Sequence, residues 1–281
     1  MGSLTRRALL AGVLAATTVG AARGRSAPRR LAAPTIVQGT FSSSAMNGAQ
    51  VGWAVSYPAG TTEESNLPVV LALHGGFGTH LQVFEGMGFQ RAQSAPGLVT
   101  DVAVASVDAG TSYYHRRSDG TDTGAMILQD LLPTLTDRGL DVARLGLSGC
   151  SMGGYGAVLL AATVLQGRVA AVAPVSAALW PSLSAAPAFA FDGPDDFAEH
   201  DVFGMRDALG AVPLSVVCGL SDPFLGYNQD FVSGFRRSTT SPVTSFTPGG
   251  HDNTYWVTAA ATQLTFLSRY LVDGAGSGAD L

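Results

Sequence analysis

Short apolar runs alternate along this chain with longer segments whose apolar side chains recur every three to four positions. In "VGWAVSYP", Val51, Trp53, Val55 and Tyr57 alternate with smaller residues, which predicts a half-buried strand. "PVVLALHGG", from Pro68, is continuously apolar, as a strand covered on both faces would be. Similar runs at 101–110, 144–150, 169–177, 214–222 and 243–252 read as further strands. Helical periodicity falls between them, at about 81–95, 123–138, 152–166, 226–238 and 254–271. Asp122 or Thr123 caps the second of these helices, and Pro133 kinks or splits it. This alternation predicts an α/β fold with a mostly parallel central sheet and helices on both faces. Leu179 to Gly210 breaks the pattern with three prolines and no strand, and reads as a small insertion over one edge of the sheet.

The ends of the chain stand apart from this pattern. "LTRRALLAGVLAATTVGAARG" places Arg6 and Arg7 before an apolar run and then small residues, the layout of a secretory signal, here of the twin-arginine type. Its apolar run falls short of the about 20 residues of a membrane span. Residues 1–30 are therefore taken as a signal and lead-in, 36–272 as a single domain and 273–281 as a flexible tail. The chain has 281 residues, 46% of them hydrophobic, enough for one sizeable core. All sixteen basic side chains are arginine, and six lie in the first thirty residues. The remaining ten face 21 acidic residues, a net charge of −11, which disfavours nucleic acid or anionic lipid as a partner.

The candidate chemistry centres on "LGLSGCSMGGYGA". Here Gly149-Cys150-Ser151-Met152-Gly153 is G-x-S-x-G between a predicted strand and a predicted helix. In that context the serine sits on a strained turn, exposed as a nucleophile at a helix N-terminus. The other reading is a glycine-rich turn with an ordinary surface serine. A nucleophilic serine needs a base and an orienting acid. Of the two histidines downstream, His200 lies in the insertion. His251 follows a predicted strand and precedes a helix, which makes it the candidate base. Asp222, at the end of the strand "LSVVCGLSD", is the candidate acid, whereas Asp252 reads as a helix-start residue. The oxyanion hole would take the amide of Met152 and that of Gly76 or Phe77, in the loop after "PVVLALH". His74 reads as a residue that holds this loop. Cys150 and Cys218 end strands two spacings apart, about 9–10 Å, beyond the about 7 Å limit for bridged Cα atoms. Two free, buried, non-catalytic thiols are expected. The five histidines show no metal-ligand spacing and no phosphate loop is present, so neither a metal nor another cofactor is expected.

"LHGGFGTH", "VDAGTSYYHRRSDGTDTGAMILQDLLPTL", "GLSGCSMGGYGA", "CGLSDPF" and "GGHDNTYW" occur in this order. Together they resemble the esterase D-like α/β-hydrolases, and among them the actinobacterial exported proteins related to the secreted mycobacterial mycolyltransferases. The resemblance spans roughly Thr40 to Leu271. It implies an α/β-hydrolase fold with Ser151, Asp222 and His251 as the triad and the amides of Gly76 and Met152 as the oxyanion hole. It also implies Tyr113, Tyr114 and Trp256 as substrate-binding candidates. The chain departs from the mycolyltransferases in two places. "HGGFGTH" lacks their arginine, and the stretch from Trp180 to Gly210 is shorter. The implied activity is hydrolysis of a small-molecule or lipid ester by a secreted or cell-envelope enzyme. The alternatives are acyl transfer to a sugar or glycerol hydroxyl, and a non-catalytic carbohydrate- or lipid-binding protein on the same scaffold.

Overall fold

The computed structural model describes residues 33–95, 101–235 and 241–272. The predicted signal and tail lie outside the described residues. Eight strands form one sheet: β1 (Thr35–Ser43), β2 (Ala49–Tyr57), β3 (Pro68–Leu73), β4 (Ala103–Val107), β5 (Asp141–Cys150), β6 (Val169–Val175), β7 (Ser215–Gly219) and β8 (Val243–Thr247). Their order is β1-β2-β4-β3-β5-β6-β7-β8. β1 and β2 run antiparallel to their neighbours, and β4 through β8 pair parallel. The helices are α1 (Gln82–Glu85), α2 (Phe89–Gln93), α3 (Thr123–Met126), α4 (Leu132–Asp137), α5 (Met152–Ala162), α6 (Pro194–Glu199), α7 (Leu225–Ser233) and α8 (Asn253–Val272).

The two faces of the sheet bury separate cores. α3, α4, α5 and α7 pack on one face with Leu71, Leu147 and Val216. α1, α2 and α8 cover the other over Val70, Ala171 and Val217. The central strands β3 and β4, apolar but for Ser106, are buried on both sides, hence their continuous rather than alternating pattern. The mostly parallel sheet covered on both faces is as the sequence predicts.

Three local differences have physical causes. The segment expected as one helix over 81–95 is two short helices, because the chain turns through Gly88 at φ +80°. Between α3 and α4 a π-helical stretch, Ile127–Leu131, precedes Pro133, which sits in the first turn of α4. There its missing N–H costs little, so the proline divides the run without ending it. Asp122 is the cap, accepting a 2.9 Å hydrogen bond from the Ala125 amide. Strand β1 was not expected. It is a half-exposed edge strand whose few apolar positions make a weak pattern, and its pairing with β2 defines it. The insertion from Leu179 to Gly210 contains α6 and two short 3-10 turns and no strand.

Candidate active site

The turn from β5 to α5 carries Ser151. Its backbone is left-handed in φ (54°, ψ −119°), which a side-chain-bearing residue adopts only when its surroundings hold it there. Those surroundings are glycines. A Cβ at Gly149 would strike the carbonyl of Gly153, and a Cβ at Gly153 would strike the carbonyl of Leu73 at the end of β3. The residues two before and two after the serine must therefore both lack side chains. Every residue of α5 is buried, so its N-terminal turn is fixed against the sheet just behind Ser151.

Asp222 lies just beyond β7 and His251 just beyond β8, adjacent parallel strands. The two turns are tied together, since the Ser221 amide donates to the carbonyl of Gly249 at 2.9 Å. His251 Nε2 lies 3.0 Å from Ser151 Oγ, and its Nδ1 lies 3.0 Å from Asp222 Oδ2 and 3.2 Å from Oδ1. Carboxylate on Nδ1 selects the tautomer whose Nε2 lone pair faces the serine hydroxyl. The Asp222 side chain is fully buried. Burial alone would push its pKa up, but hydrogen bonds, led by that of His251 and including the Phe224 amide at 2.8 Å, hold it below the ordinary value. The Ser176 hydroxyl also faces this carboxylate, without the geometry of a full hydrogen bond. Phe224 and Trp256 pack edge-on against the His251 ring, at centroid distances of 4.7 and 5.2 Å. Asp252 does something else: its Oδ1 accepts from the Tyr255 amide at 3.0 Å and caps α8. His200 is remote from this line, held by its own helix and by Tyr155.

The loop after β3 brings Gly76 and Phe77 to the same cavity as Ser151 and Met152. Neither the Gly76 nor the Phe77 amide donates to another group among the described residues, as an oxyanion donor requires. Phe77 holds φ at +62°, and the residue is 82% exposed. His74 anchors the loop, as expected. Its Nδ1 donates to the Gly75 carbonyl at 2.7 Å and its Nε2 accepts from the Ala109 amide at 2.9 Å. Burial holds the His74 pKa below its ordinary value, consistent with that neutral tautomer.

The cavity, about 460 Å³, is walled by Phe77, Tyr113, Trp180, Pro187, Phe189 and Phe224. Tyr113 lines it; Tyr114 and Trp256 do not. Tyr114 is turned into the core, where its hydroxyl donates to the His74 carbonyl at 3.0 Å, supporting the loop after β3 from behind. Trp256 packs edge-on against His251 instead. Trp180, Pro187 and Phe189 were not anticipated from sequence. They come from the insertion, and its aromatic residues among prolines were the one available signal. The insertion is fastened to the loop after β4 by Arg117, which pairs with both oxygens of Asp192 (3.1 and 2.7 Å) and donates to the Phe189 carbonyl at 3.0 Å.

Cys150 and Cys218 are free and buried, on β5 and β7 with β6 between them. Burial pushes both thiols up to about 12, so both stay protonated and unreactive at neutral pH. Among the described residues no helix is long and apolar enough to cross a membrane.

Comparison with known proteins agrees with this geometry. Residues 43–267 match the family described as "Putative esterase". No curated protein sequence matches. Among solved structures, a ferulic acid esterase superposes with a TM-score of 0.73 at 22% identity, covering 86% of this chain and all of that one. FphF of Staphylococcus aureus, described as a fluorophosphonate-binding serine hydrolase, gives 0.72 at 21% identity over 84% of this chain and 99% of its own. MPT51 (FbpC1) of Mycobacterium tuberculosis gives 0.65 at 16% identity, over 83% and 99%. These likenesses establish the α/β-hydrolase fold.

Proposed function

Because the chain belongs to the esterase family, whose model spans residues 43–267, we propose that it is an exported serine esterase cleaving carboxylic esters through an acyl-enzyme on Ser151. One observation carries this reading: the unbroken line from Ser151 Oγ through His251 to Asp222, each step 3.0 Å, opening on an apolar cavity. In the first half-reaction Ser151 Oγ attacks the ester carbonyl and His251 Nε2 takes its proton. Asp222 holds the ring and stabilises the imidazolium. The negative oxygen of the tetrahedral intermediate is met by the amide of Met152 and that of Gly76 or Phe77. His251 then gives its proton to the departing alcohol. In the second half it activates water, which releases the acid and restores Ser151.

The acyl group occupies the cavity of about 460 Å³, within the usual size of small-ligand sites. Its aromatic walls suit a flat acyl group, such as that of the ferulic ester implied by the name of one structural neighbour. Export rests on the twin-arginine-type segment in residues 1–30.

Acyl transfer is the second reading. A polar cavity of about 520 Å³, with Thr111, Arg117, Ser118, Asp119 and Asp192 in its lining, shares Phe189 with the acyl cavity and offers partners to an alcohol rich in hydroxyls. The test offers feruloyl and p-nitrophenyl esters to the mature protein with and without glycerol or trehalose, resolving products by mass. The esterase reading predicts mostly free acid at millimolar acceptor, and a dominant acylated acceptor would replace it with transfer. Ser151→Ala should lower turnover by at least about a thousandfold and abolish fluorophosphonate labelling. If the wild-type serine is not labelled, the binding-protein reading takes over.

A further inference from the structure

Outside the triad, the fold gathers three metal-ligating side chains. His115 belongs to the loop after β4, and Asp196 and His200 lie four residues apart along α6 and its C-terminal end, on one helical face. One ligand atom from each falls within 4.8 Å of the others. Asp196 Oδ1 is 3.5 Å from His115 Nδ1 and 3.0 Å from His200 Nδ1. Around a tetrahedral ion with bonds near 2.0–2.1 Å, neighbouring donor atoms lie about 3.3 Å apart, and the two observed separations bracket that value. The three side chains are 1%, 16% and 13% exposed, respectively for His115, Asp196 and His200.

The surroundings of His115 point the same way. Its Nε2 is 3.1 Å from the Ala190 carbonyl and its Nδ1 is 2.8 Å from the Arg116 carbonyl. A neutral imidazole carries one N–H. Whichever nitrogen holds it, the other aims a lone pair at an oxygen. Either a second proton or a cation resolves that conflict. The ring is shut off from water and stacked 4.2 Å from the His200 ring. With the Nε2 hydrogen donated to Ala190, His115 has the arrangement of metal-bound imidazoles, whose far nitrogen is fixed by a backbone carbonyl.

We propose that His115 Nδ1, His200 Nδ1 and Asp196 Oδ1 bind one divalent transition-metal ion of the zinc class. Two imidazoles and a single carboxylate suit that class, whereas calcium and magnesium need more oxygen ligands. Binding requires the Nδ1 hydrogen of His200, which otherwise donates to the Asp196 carbonyl at 2.8 Å, to move to Nε2, leaving the Nδ1 lone pair for the ion. The ion would join the loop that carries Tyr113 to the insertion that carries Pro187 and Phe189. It is a clip for the acyl cavity and takes no part in the chemistry at Ser151. The sequence gives no hint of it, since its ligands come from two distant segments.

The experiment strips the purified protein with a chelator and titrates Zn²⁺ by calorimetry and thermal melting, with Ca²⁺ and Mg²⁺ in parallel. One Zn²⁺ per chain is expected, with a rise in Tm of about 5 °C at a hundredfold excess over Kd and no effect of Ca²⁺ or Mg²⁺. His200→Ala and Asp196→Asn should each lose the stoichiometric binding. Ser151→Ala should keep it, which separates this site from the catalytic reading. Binding that survives in both His200→Ala and His115→Gln overturns the proposal. So does a metal-free protein that ignores Zn²⁺ and shows a doubly protonated His115 by NMR at neutral pH.

Discussion

Replacing Asp222 by asparagine tests the relay at its most directional point. Asp222 Oδ1 accepts from the Phe224 amide at 2.8 Å, and an asparagine oxygen can keep that bond. The amide nitrogen must then take the place of Oδ2, 3.0 Å from His251 Nδ1. There it is a donor where the aspartate was an acceptor. His251 must answer with an Nδ1 lone pair, so its hydrogen moves to Nε2. That hydrogen points at Ser151 Oγ, 3.0 Å away, and the base has no lone pair for the serine proton. Size and packing hardly change, so the loss is one of tautomer. The equivalent exchange in a serine protease triad costs about 10⁴ in kcat, or about 5.5 kcal/mol of transition-state stabilisation.

The control is Asp252→Asn. Asp252 caps α8, and asparagine caps almost as well, so activity and stability should stay within about twofold and about 0.5 kcal/mol. Both variants are assayed by steady-state hydrolysis of a p-nitrophenyl ester, with circular dichroism to establish folding. A folded Asp222→Asn enzyme retaining a tenth of wild-type kcat, or an Asp252→Asn enzyme that loses a thousandfold, would refute this assignment of the acid. Stability adds a second signature. The Asp222 pKa is lower folded than unfolded, so its ionised form stabilises the fold above the unfolded value and that contribution is lost as pH falls through the folded one. The gap in Tm between wild type and Asp222→Asn should therefore narrow on acidification below about pH 4.

Three further outcomes are expected. Thiol titration of the unreduced protein should find both cysteines in denaturant and neither in the native state, because both are buried and free; finding none in denaturant would mean a bridge. Gly153→Ala should cost at least about 2 kcal/mol in urea unfolding, because its Cβ meets the Leu73 carbonyl rather than a side chain able to move; a variant as stable as wild type would contradict that contact. Phe189→Ala should raise KM for a feruloyl ester about tenfold or more while leaving kcat within a few-fold, since the ring walls the cavity and has no group that takes part in proton transfer; an equal loss in both would place it in the reaction itself.

What could be read from the sequence was what local rules control. Ser151 announced itself because a strand, two glycines and a helix start lie within a dozen residues, and steric exclusion around one turn is a local matter. Asp222 and His251 were legible because parallel strands deliver their ends to one edge of the sheet, so a carboxylate after β7 and an imidazole after β8 must arrive side by side. The cavity walls obey no such rule. Tyr113 and Tyr114 are adjacent, alike in type and both left-handed in φ, at 55° and 62°. Yet one faces the cavity among Tyr155, Phe189 and Phe191, and the other packs its ring on Gly156 and reaches the His74 carbonyl, contacts that no local pattern distinguishes. Phe189 and Trp180 were hidden for a related reason. The insertion has no periodicity to place it, and its position is set by contacts such as Arg117 with Asp192 that join segments far apart in the chain. This division bears on specificity. On the proposed reading, the reacting groups are set by the turns after β5, β7 and β8, whereas the cavity for the acyl group is set by how the insertion is fastened. Changes at that fastening should alter which ester is cleaved before they alter how.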